Sequence, residues 1–363
     1  MSPSGDVLIT GAAGFIGRHT AMSFYRAGYR VTAVDLRPAP DHLVHTARWR
    51  RGSFAAPTLL SEIAAGRYQT VVHQAGISDT RAPAGPELEE TNILGVLRLA
   101  DACRAGGSRL IYASSHSVYG TLHDRTPIAE DADTDSARCS GPLNAYAAAK
   151  FVLDQQMRAR HSTGLDWVGL RYTNVFGPDE TDKGQMASIL SQLLRSAAST
   201  GRLRLFDDSL TAARDYIPVE IVTATILRLA EQPVPAAVYN LGAGFAVSFA
   251  DVAQWCARLN REVTGAPSLH VRLVPNAVAA TYQYFTCADM TALDNALPDR
   301  PTVSPLSVET RAAELFKIFR SCAAQLDGIV CPHHPHGTVP HDGPTPVVRP
   351  RYSNCDTHPP VTA

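Results

Sequence analysis

A short apolar run, Val7–Thr10, is followed at once by Gly11, Gly14 and Gly17, and these glycines open a helix-like stretch, Phe15–Ala27, that Gly28 ends. Few arrangements constrain a fold as tightly. Gly11 permits a tight turn out of the strand, Gly14 lets backbone approach a pyrophosphate, and Gly17 lets helix pack closely on strand. The N-terminus of that helix then presents unpaired N–H groups and a positive dipole end to the phosphates. A strand–turn–helix of this kind predicts a dinucleotide site. Asp35 closes the next apolar run, Arg30–Asp35, eighteen residues beyond Gly17. A carboxylate there accepts both adenosine ribose hydroxyls, which favours NAD, whereas Arg37 is placed to pair with a 2′-phosphate, which favours NADP. The two signals conflict, and the choice stays open at this level.

The same rhythm continues along the first half of the chain. Strand candidates at Asp6–Thr10, Arg30–Asp35, Thr70–Gln74, Arg109–Ser114 and Trp167–Tyr172 alternate with helix-like stretches, the last of them Ala145–Arg160. Strands spaced by helices imply crossover connections and a parallel sheet covered on both faces. The predicted fold class is therefore α/β, a doubly wound parallel (Rossmann) sheet with a smaller interleaved substrate domain. Beyond Phe176 the rhythm weakens: Met186–Ala198 and Ile217–Glu231 read as helices, Arg202–Phe206 as a strand, and Val238–Leu241 as a strand rejoining the first sheet. This assigns 1–173 and 215–243 to the dinucleotide domain and 174–214 and 244–320 to the substrate domain. Residues 321–363 are expected to form a disordered tail, since Pro332–Pro360 holds eight prolines and five histidines with almost no apolar periodicity. Its Cys331, His333, His334, His336, His341, Cys355 and His358 fit no regular zinc spacing, so no metal site is expected.

Composition excludes several classes of function. The 33 basic and 34 acidic residues leave a net charge of −1, without the footprint of a nucleic-acid or anionic-membrane binder. No apolar run reaches the roughly 18–20 residues of a spanning helix, and the N-terminus lacks the pattern of a signal peptide. Seven cysteines show no disulfide framework. A cytoplasmic enzyme, bound to neither nucleic acid nor membrane, is the expectation.

Tyr146 and Lys150 stand four apart with only alanines between them, on one face of the predicted helix. An ammonium and an oxidised nicotinamide nearby both favour the tyrosinate, so the phenol can serve as a base, with Ser115 hydrogen-bonding the same substrate hydroxyl. Together with the glycine turn, these residues make the chain resemble the extended short-chain dehydrogenase/reductase family, most of whose members modify nucleotide sugars. The matching segments are Thr10–Gly17 (TGAAGFIG), Ile111–Gly120 (IYASSHSVYG), Tyr146–Lys150 (YAAAK), Arg171–Pro178 (RYTNVFGP) and Arg214–Tyr216 (RDY). A narrower resemblance, to the ADP-glycero-manno-heptose 6-epimerases, rests on Pro142–Tyr146 (PLNAY), Lys183–Ile189 (KGQMASI) and Thr281–Leu293 (TYQYFTCADMTAL).

The resemblance implies epimerisation through a transient 6-keto sugar, with a tightly held NAD or NADP taking a hydride and returning it to the opposite face. It implies two acid/base groups, Tyr146 and Lys183, the lysine requiring burial or a neighbouring cation to exchange its proton. Lys150 is expected to orient the nicotinamide ribose and depress the tyrosine pKa. Gly11, Gly14, Phe15, Ile16, Gly17, Asp35, Arg37, Gln74, Ala75, Gly76 and Asn92 form the expected cofactor set, with Tyr146 and Lys150. Ser78, His116, Asn174, Lys183, Gln192, Phe206, Arg214 and Tyr282 form the substrate set, Phe206 stacking on adenine and Arg214 pairing with the diphosphate. A homo-oligomer is implied as well.

Three departures from the family pattern bear on specificity. His116 stands where sugar-nucleotide dehydratases carry an acid, and Ser117 follows it, which argues against elimination of water. Gln192 replaces a histidine facing the sugar, and Ser53 an aspartate against the cofactor adenine. Two other readings remain at this stage: action at another carbon or on another nucleoside diphosphate sugar, and a non-catalytic cofactor-binding regulator.

Overall fold

The structure, a computed structural model, describes residues 5–265 and 269–327. Strand β1 (Asp6–Thr10) leads through the glycine turn into α1 (Phe15–Arg26), and β2 (Arg30–Asp35), β3 (Arg48–Arg51) and α2 (Pro57–Ala64) follow. Next come β4 (Thr70–His73), α3 (Pro86–Glu89), a π-helical turn at Glu90–Leu94, and α4 (Gly95–Gly106). The dinucleotide half continues with β5 (Arg109–Ser115), α5 (Ala145–Arg158) and β6 (Trp167–Tyr172).

The chain then leaves the sheet in β7 (Asn174–Phe176), α6 (Ile189–Thr200), β8 (Arg202–Phe206), β9 (Ala213–Arg214) and β10 (Tyr216–Pro218). It returns in α7 (Val219–Glu231) and β11 (Ala237–Leu241), and departs again through β12 (Val247–Ser248), α8 (Phe249–Thr264), β13 (His270–Val274), α9 (Thr291–Ala296) and α10 (Pro305–Asp327).

Seven strands form one sheet in the order β11-β6-β5-β4-β1-β2-β3, and every adjacent pair runs parallel. The two-residue period of the strands decides its layers. Val7, Ile9, Val72, Ile111 and Val168 face α1 and α7 in one apolar cluster. Their neighbours Leu8, Val71, Leu110 and Trp167 face α2, α4 and α5 in another. A third cluster, away from the sheet, joins Leu190, Leu194, Leu203 and Leu205 to Phe249, Val252, Leu315 and Phe316.

The doubly wound expectation holds, and Val238–Leu241 does rejoin the sheet, as the far edge strand beside β6. Three details differ. The helix expected over Met186–Ala198 begins at Ile189, because Ser188 caps it by accepting the Ser191 N–H. The helix expected from Ile217 begins at Val219, because Tyr216–Pro218 pairs with β7 and Pro218 suits a helix boundary. The first seven residues of the expected tail, 321–327, belong to α10, which packs Val308, Ala312, Leu315 and Phe316 against the third cluster. The remainder of that stretch, 328–363 with its cysteines and histidines, lies outside the described residues.

Candidate active site

Parallel strands order a site by ending together. After β3 the chain crosses back over β1 to form β4, so the loops following β1 and β4 diverge from one crevice. They touch there. Gly11 has φ of 69°, and a Cβ on it would stand 2.5 Å from the backbone nitrogen of Ala75. A Cβ on Gly17 would fall 2.1 Å from the Gly11 carbonyl oxygen. Side chains are excluded by close backbone packing, which leaves main-chain groups lining the crevice. A dinucleotide fits this cradle, with the α1 N-terminus behind its phosphates.

The crevice opens into a cleft of about 1430 Å3. A pocket for one drug-sized ligand holds roughly 300–1,000 Å3, so this cleft has room for a dinucleotide and a second nucleotide-sized molecule. Of the expected residues, Gly11, Gly14, Phe15, Ile16, Gly17, Asp35, Arg37, Gln74, Ala75, Gly76, Ser78, Ser115, Tyr146, Lys150, Asn174, Lys183, Gln192, Phe206, Arg214 and Tyr282 all line it. They come from both halves of the chain.

Asp35 accepts the Ala13 N–H at 2.9 Å with one carboxylate oxygen and the Arg37 N–H at 2.9 Å with the other. It thereby ties the glycine turn to the end of β2. The Arg37 guanidinium lies 3.4 Å from the same carboxylate and is half exposed beside Gly14.

On α5, Asn144 caps the helix by accepting the Ala147 N–H at 2.9 Å, which sets Tyr146 in the first turn and Lys150 one turn on. Tyr146 is half-buried and hydrogen-bonds Ser115. Burial raises its phenol above the ordinary value, and the Ser115 bond offsets only part of that. Lys150 is buried and donates to the Ala113 carbonyl at 2.7 Å. Burial lowers its ammonium to about 8, against the pull of Asp154. The expectation that Lys150 depresses the Tyr146 pKa is therefore corrected for this geometry, since desolvation dominates the phenol and the ammonium is held by a carbonyl of β5.

Lys183 lies in the 3₁₀ segment Glu180–Met186, about one-third exposed, with its ammonium 5.4 Å from the centre of the Phe15 ring. Its charged neighbour is Glu180 at 3.4 Å. Neither full burial nor a neighbouring cation surrounds it, so the condition set from the sequence is not the one the structure supplies.

Arg214 is buried, donates to the Ala213 carbonyl, and stacks its guanidinium between Phe249 and Tyr282, at 5.5 and 5.3 Å from the ring centres. Burial lowers its pKa. Among the described residues no carboxylate pairs with it, and its polar partners are the Ala213 carbonyl and the Tyr282 hydroxyl, so its charge lines the cleft without a counter-ion. Tyr282 also meets Phe206 edge-on at 5.6 Å. The Asn174 amide donates to the Asp215 carbonyl and the Thr286 hydroxyl, and the Gln192 amide donates to the Gln185 and Ala187 carbonyls.

Two expected residues do not line the cleft. Asn92 is fully buried in the π-helical turn, where its amide accepts from and donates to the Ile77 backbone, both at 2.8 Å. It shapes the Gly76–Ile77 loop from behind. His116 is buried against the Tyr119 ring, 4.8 Å between centres, because the 3₁₀ turn after β5 carries it away from the cleft. Burial pushes its imidazole down to about 4, so it is corrected from a pocket residue to a neutral packed one.

Sequence reasoning missed Arg204, an exposed cation of β8 that lines the cleft, and the buried carboxylates Asp154, Glu180 and Asp215. Asp215 accepts the N–H groups of Ala243, Gly244 and Ala288 and the Thr173 hydroxyl, which joins β6, β11 and the segment after β13 behind the cleft. The sole sequence signal for it was its place in the RDY segment.

A dinucleotide cradle at the switch point of a parallel sheet, with Ser115, Tyr146 and Lys150 beside it, defines a nucleotide-cofactor-dependent enzyme. The model of the NAD dependent epimerase/dehydratase family matches residues 7–242, and the chain belongs to that family. It is similar to the ADP-L-glycero-D-manno-heptose-6-epimerase of Helicobacter pylori, with 24% identity, 88% of this chain and 97% of that one covered, and a TM-score of 0.73. It is also similar to MoeE5 in complex with UDP-glucuronic acid and NAD (27% identity, 86% and 99% covered, TM-score 0.70). A third similar structure is the UDP-glucose 4-epimerase of Thermotoga maritima with UDP-glucose (25% identity, 87% and 99% covered, TM-score 0.72). The chain is an NAD(P)-dependent epimerase.

Proposed function

We propose that the protein epimerises a nucleotide-activated heptose at carbon 6, in the manner of the ADP-glycero-manno-heptose 6-epimerases. The observation that carries this reading is that Tyr146 and Lys183, the two residues the resemblance assigns to acid/base work, line one cleft with the dinucleotide cradle yet come from separate segments. Epimerisation needs this. A single base serves one orientation of the sugar, whereas a sugar that turns in the pocket presents its hydroxyl to a second group. The segments around Lys183 and Tyr282 support the heptose in particular.

When bound, the dinucleotide supplies hydride acceptance and return at the sugar carbon. Gly11, Gly14, Phe15, Ile16, Gly17, Gln74, Ala75 and Gly76 would hold it, with Asp35 toward the ribose and Lys150 toward the nicotinamide side. Either NAD or NADP suits Asp35 and Arg37. Tyr146 removes the hydroxyl proton in one orientation, with Ser115 holding the same oxygen. Lys183 gives or takes the proton in the other. Arg214 pairs with the diphosphate, Phe206 and Tyr282 flank the base, and Ser78, Asn174 and Gln192 face the sugar. The active form is a homo-oligomer, which sedimentation of the purified protein tests.

Proton NMR of the enzyme with ADP-D-glycero-D-manno-heptose is the test. Appearance of the L-glycero epimer, and the same final mixture from either side, supports the reading. An unchanged spectrum from cofactor-loaded enzyme overturns the heptose assignment. A second reading, another nucleoside diphosphate sugar or another carbon, is favoured by Gln192, whose amide is bound to backbone carbonyls where the heptose enzymes carry a histidine. Conversion of UDP-glucose at carbon 4 would select it.

A further inference from the structure

We propose that Glu180 is a positioning residue that holds Lys183 in place for proton exchange, an inference resting on the acid/base reading of Lys183 above. Glu180 is 1% exposed, and every hydrogen bond it makes reaches the segment that carries the lysine or the helix that follows it. Its Oε1 accepts the Ser188 N–H at 2.5 Å and lies 3.4 Å from Lys183 Nζ. Its Oε2 accepts the hydroxyls of Ser188 at 2.9 Å and Ser191 at 2.5 Å.

Residues 180 and 188 are thus the two ends of a loop closed by one side chain, with Lys183 on the span between them. Past Lys183 the loop is also tied by Gln185, whose Oε1 accepts from Arg81 at 2.8 Å, and by the Gln192 amide on the Gln185 and Ala187 carbonyls. It enters through Asp179 in the left-handed region (φ 64°) and bends again at Gly184 (φ 53°). The same carboxylate sits at the N-terminus of α6, where the helix dipole and the Ser188 cap favour negative charge. One buried anion therefore anchors the loop to a rigid helix and points its free edge at the ammonium. On the other side the Phe15 ring, fixed in the first turn of α1, limits where that ammonium can go. Lys183 is held between an element of each half of the molecule.

The composition makes a direct experiment simple. The chain has three lysines, at 150, 183 and 317; Lys150 is buried and Lys317 is exposed. Limited acetylation with acetic anhydride, read by peptide mass spectrometry, reports the Lys183:Lys317 ratio with an internal reference. In Glu180→Gln, which retains the side-chain volume but removes the charge, that ratio is expected to rise several-fold. Turnover of ADP-heptose should fall about tenfold to a hundredfold at nearly constant KM, the scale of a misplaced reacting group. In a Lys183→Met background, Glu180→Gln should cost nothing further.

An unchanged labelling ratio overturns the proposal. So does normal turnover in Glu180→Gln when Lys183→Met is inactive. Near-normal turnover of Lys183→Met would sink the acid/base reading instead, and labelling would then decide alone whether Glu180 holds the lysine. Should Glu180→Gln lose its cooperative melt, Glu180→Asp replaces it: the charge remains but is one methylene short of Lys183, and the ratio should again rise.

Discussion

Thirty of the thirty-three basic side chains are arginine, yet two of the three lysines line the cleft. Arginine carries charge equally well but does not release a proton near neutral pH, so lysine at these positions marks chemistry that charge alone does not perform. Lys183→Arg is therefore expected to be as inactive as Lys183→Met, with turnover at least a hundredfold down, the range of a lost acid/base group. Tyr146→Phe should behave alike, and absorbance of the bound cofactor checks that both variants remain loaded. Lys150 makes a different prediction. Its folded pKa, about 8, lies below the ordinary lysine value of 10.5, so between those values the unfolded chain binds the proton and the folded chain does not. The buried ammonium thus costs stability at pH 7, on the order of 3 kcal/mol, and that cost fades as pH rises above 8. Lys150→Met should lose activity while gaining denaturant resistance at pH 7, and the gain should shrink toward pH 10 in parallel urea titrations.

At the scale of elements, the glycine turn leaves least tolerance. Gly17→Ala places a Cβ 2.1 Å from the Gly11 carbonyl oxygen, which only a shift of α1 relieves. Overpacking of this kind costs about 1–3 kcal/mol; a lowered melting temperature with loss of co-purified cofactor is the expected outcome. This element was legible in the sequence because the constraint is local: strand, turn and helix follow one another within a dozen residues. β3 was not. Arg48–Arg51 (RWRR) is an edge strand, and its charged side chains carry no apolar alternation. Glu180 was equally hidden, since a buried acid in a polar loop looks solvated until Ser188 and Ser191 fold back on it. His116 was misread for the opposite reason. Adjacency to Ser115 suggested a shared pocket, but a 3₁₀ turn sends consecutive side chains to different sides. The motif residues that line the cleft are those whose direction backbone conformation rather than neighbourhood decides.

Across the whole molecule, a buried ionic network stands behind the chemistry. Arg171 of β6 donates to Asp154 of α5 at 2.8 Å and to Asp133 at 2.6 Å, and Asp154 also accepts from Tyr112 and Ser114 of β5. Asp133 takes a second arginine, Arg158, and Tyr119 links Arg171 to Asn240 of β11. Four elements meet on these charges, directly beneath the strand end that carries Ser115 and the helix that carries Tyr146 and Lys150. Breaking such a pair leaves an uncompensated charge and costs about 3–5 kcal/mol. Arg171→Met is expected to destabilise on that scale in urea titrations, with cofactor lost before the sheet unfolds. Among the described residues no helix is long and apolar enough to cross a membrane.

The late return of β11 to the sheet has a consequence for synthesis. Emerging from the ribosome, β1 to β6 can pair as soon as Tyr172 is clear, but the free edge of β6 must wait another 65 residues, until Ala237, for its partner. Through that interval an unpaired, apolar strand edge faces solvent, a template for pairing with another nascent chain. Nascent chains with between 175 and 236 residues clear of the ribosome should therefore be where this protein depends most on nascent-chain chaperones, and the emergence of β11 should end that dependence abruptly.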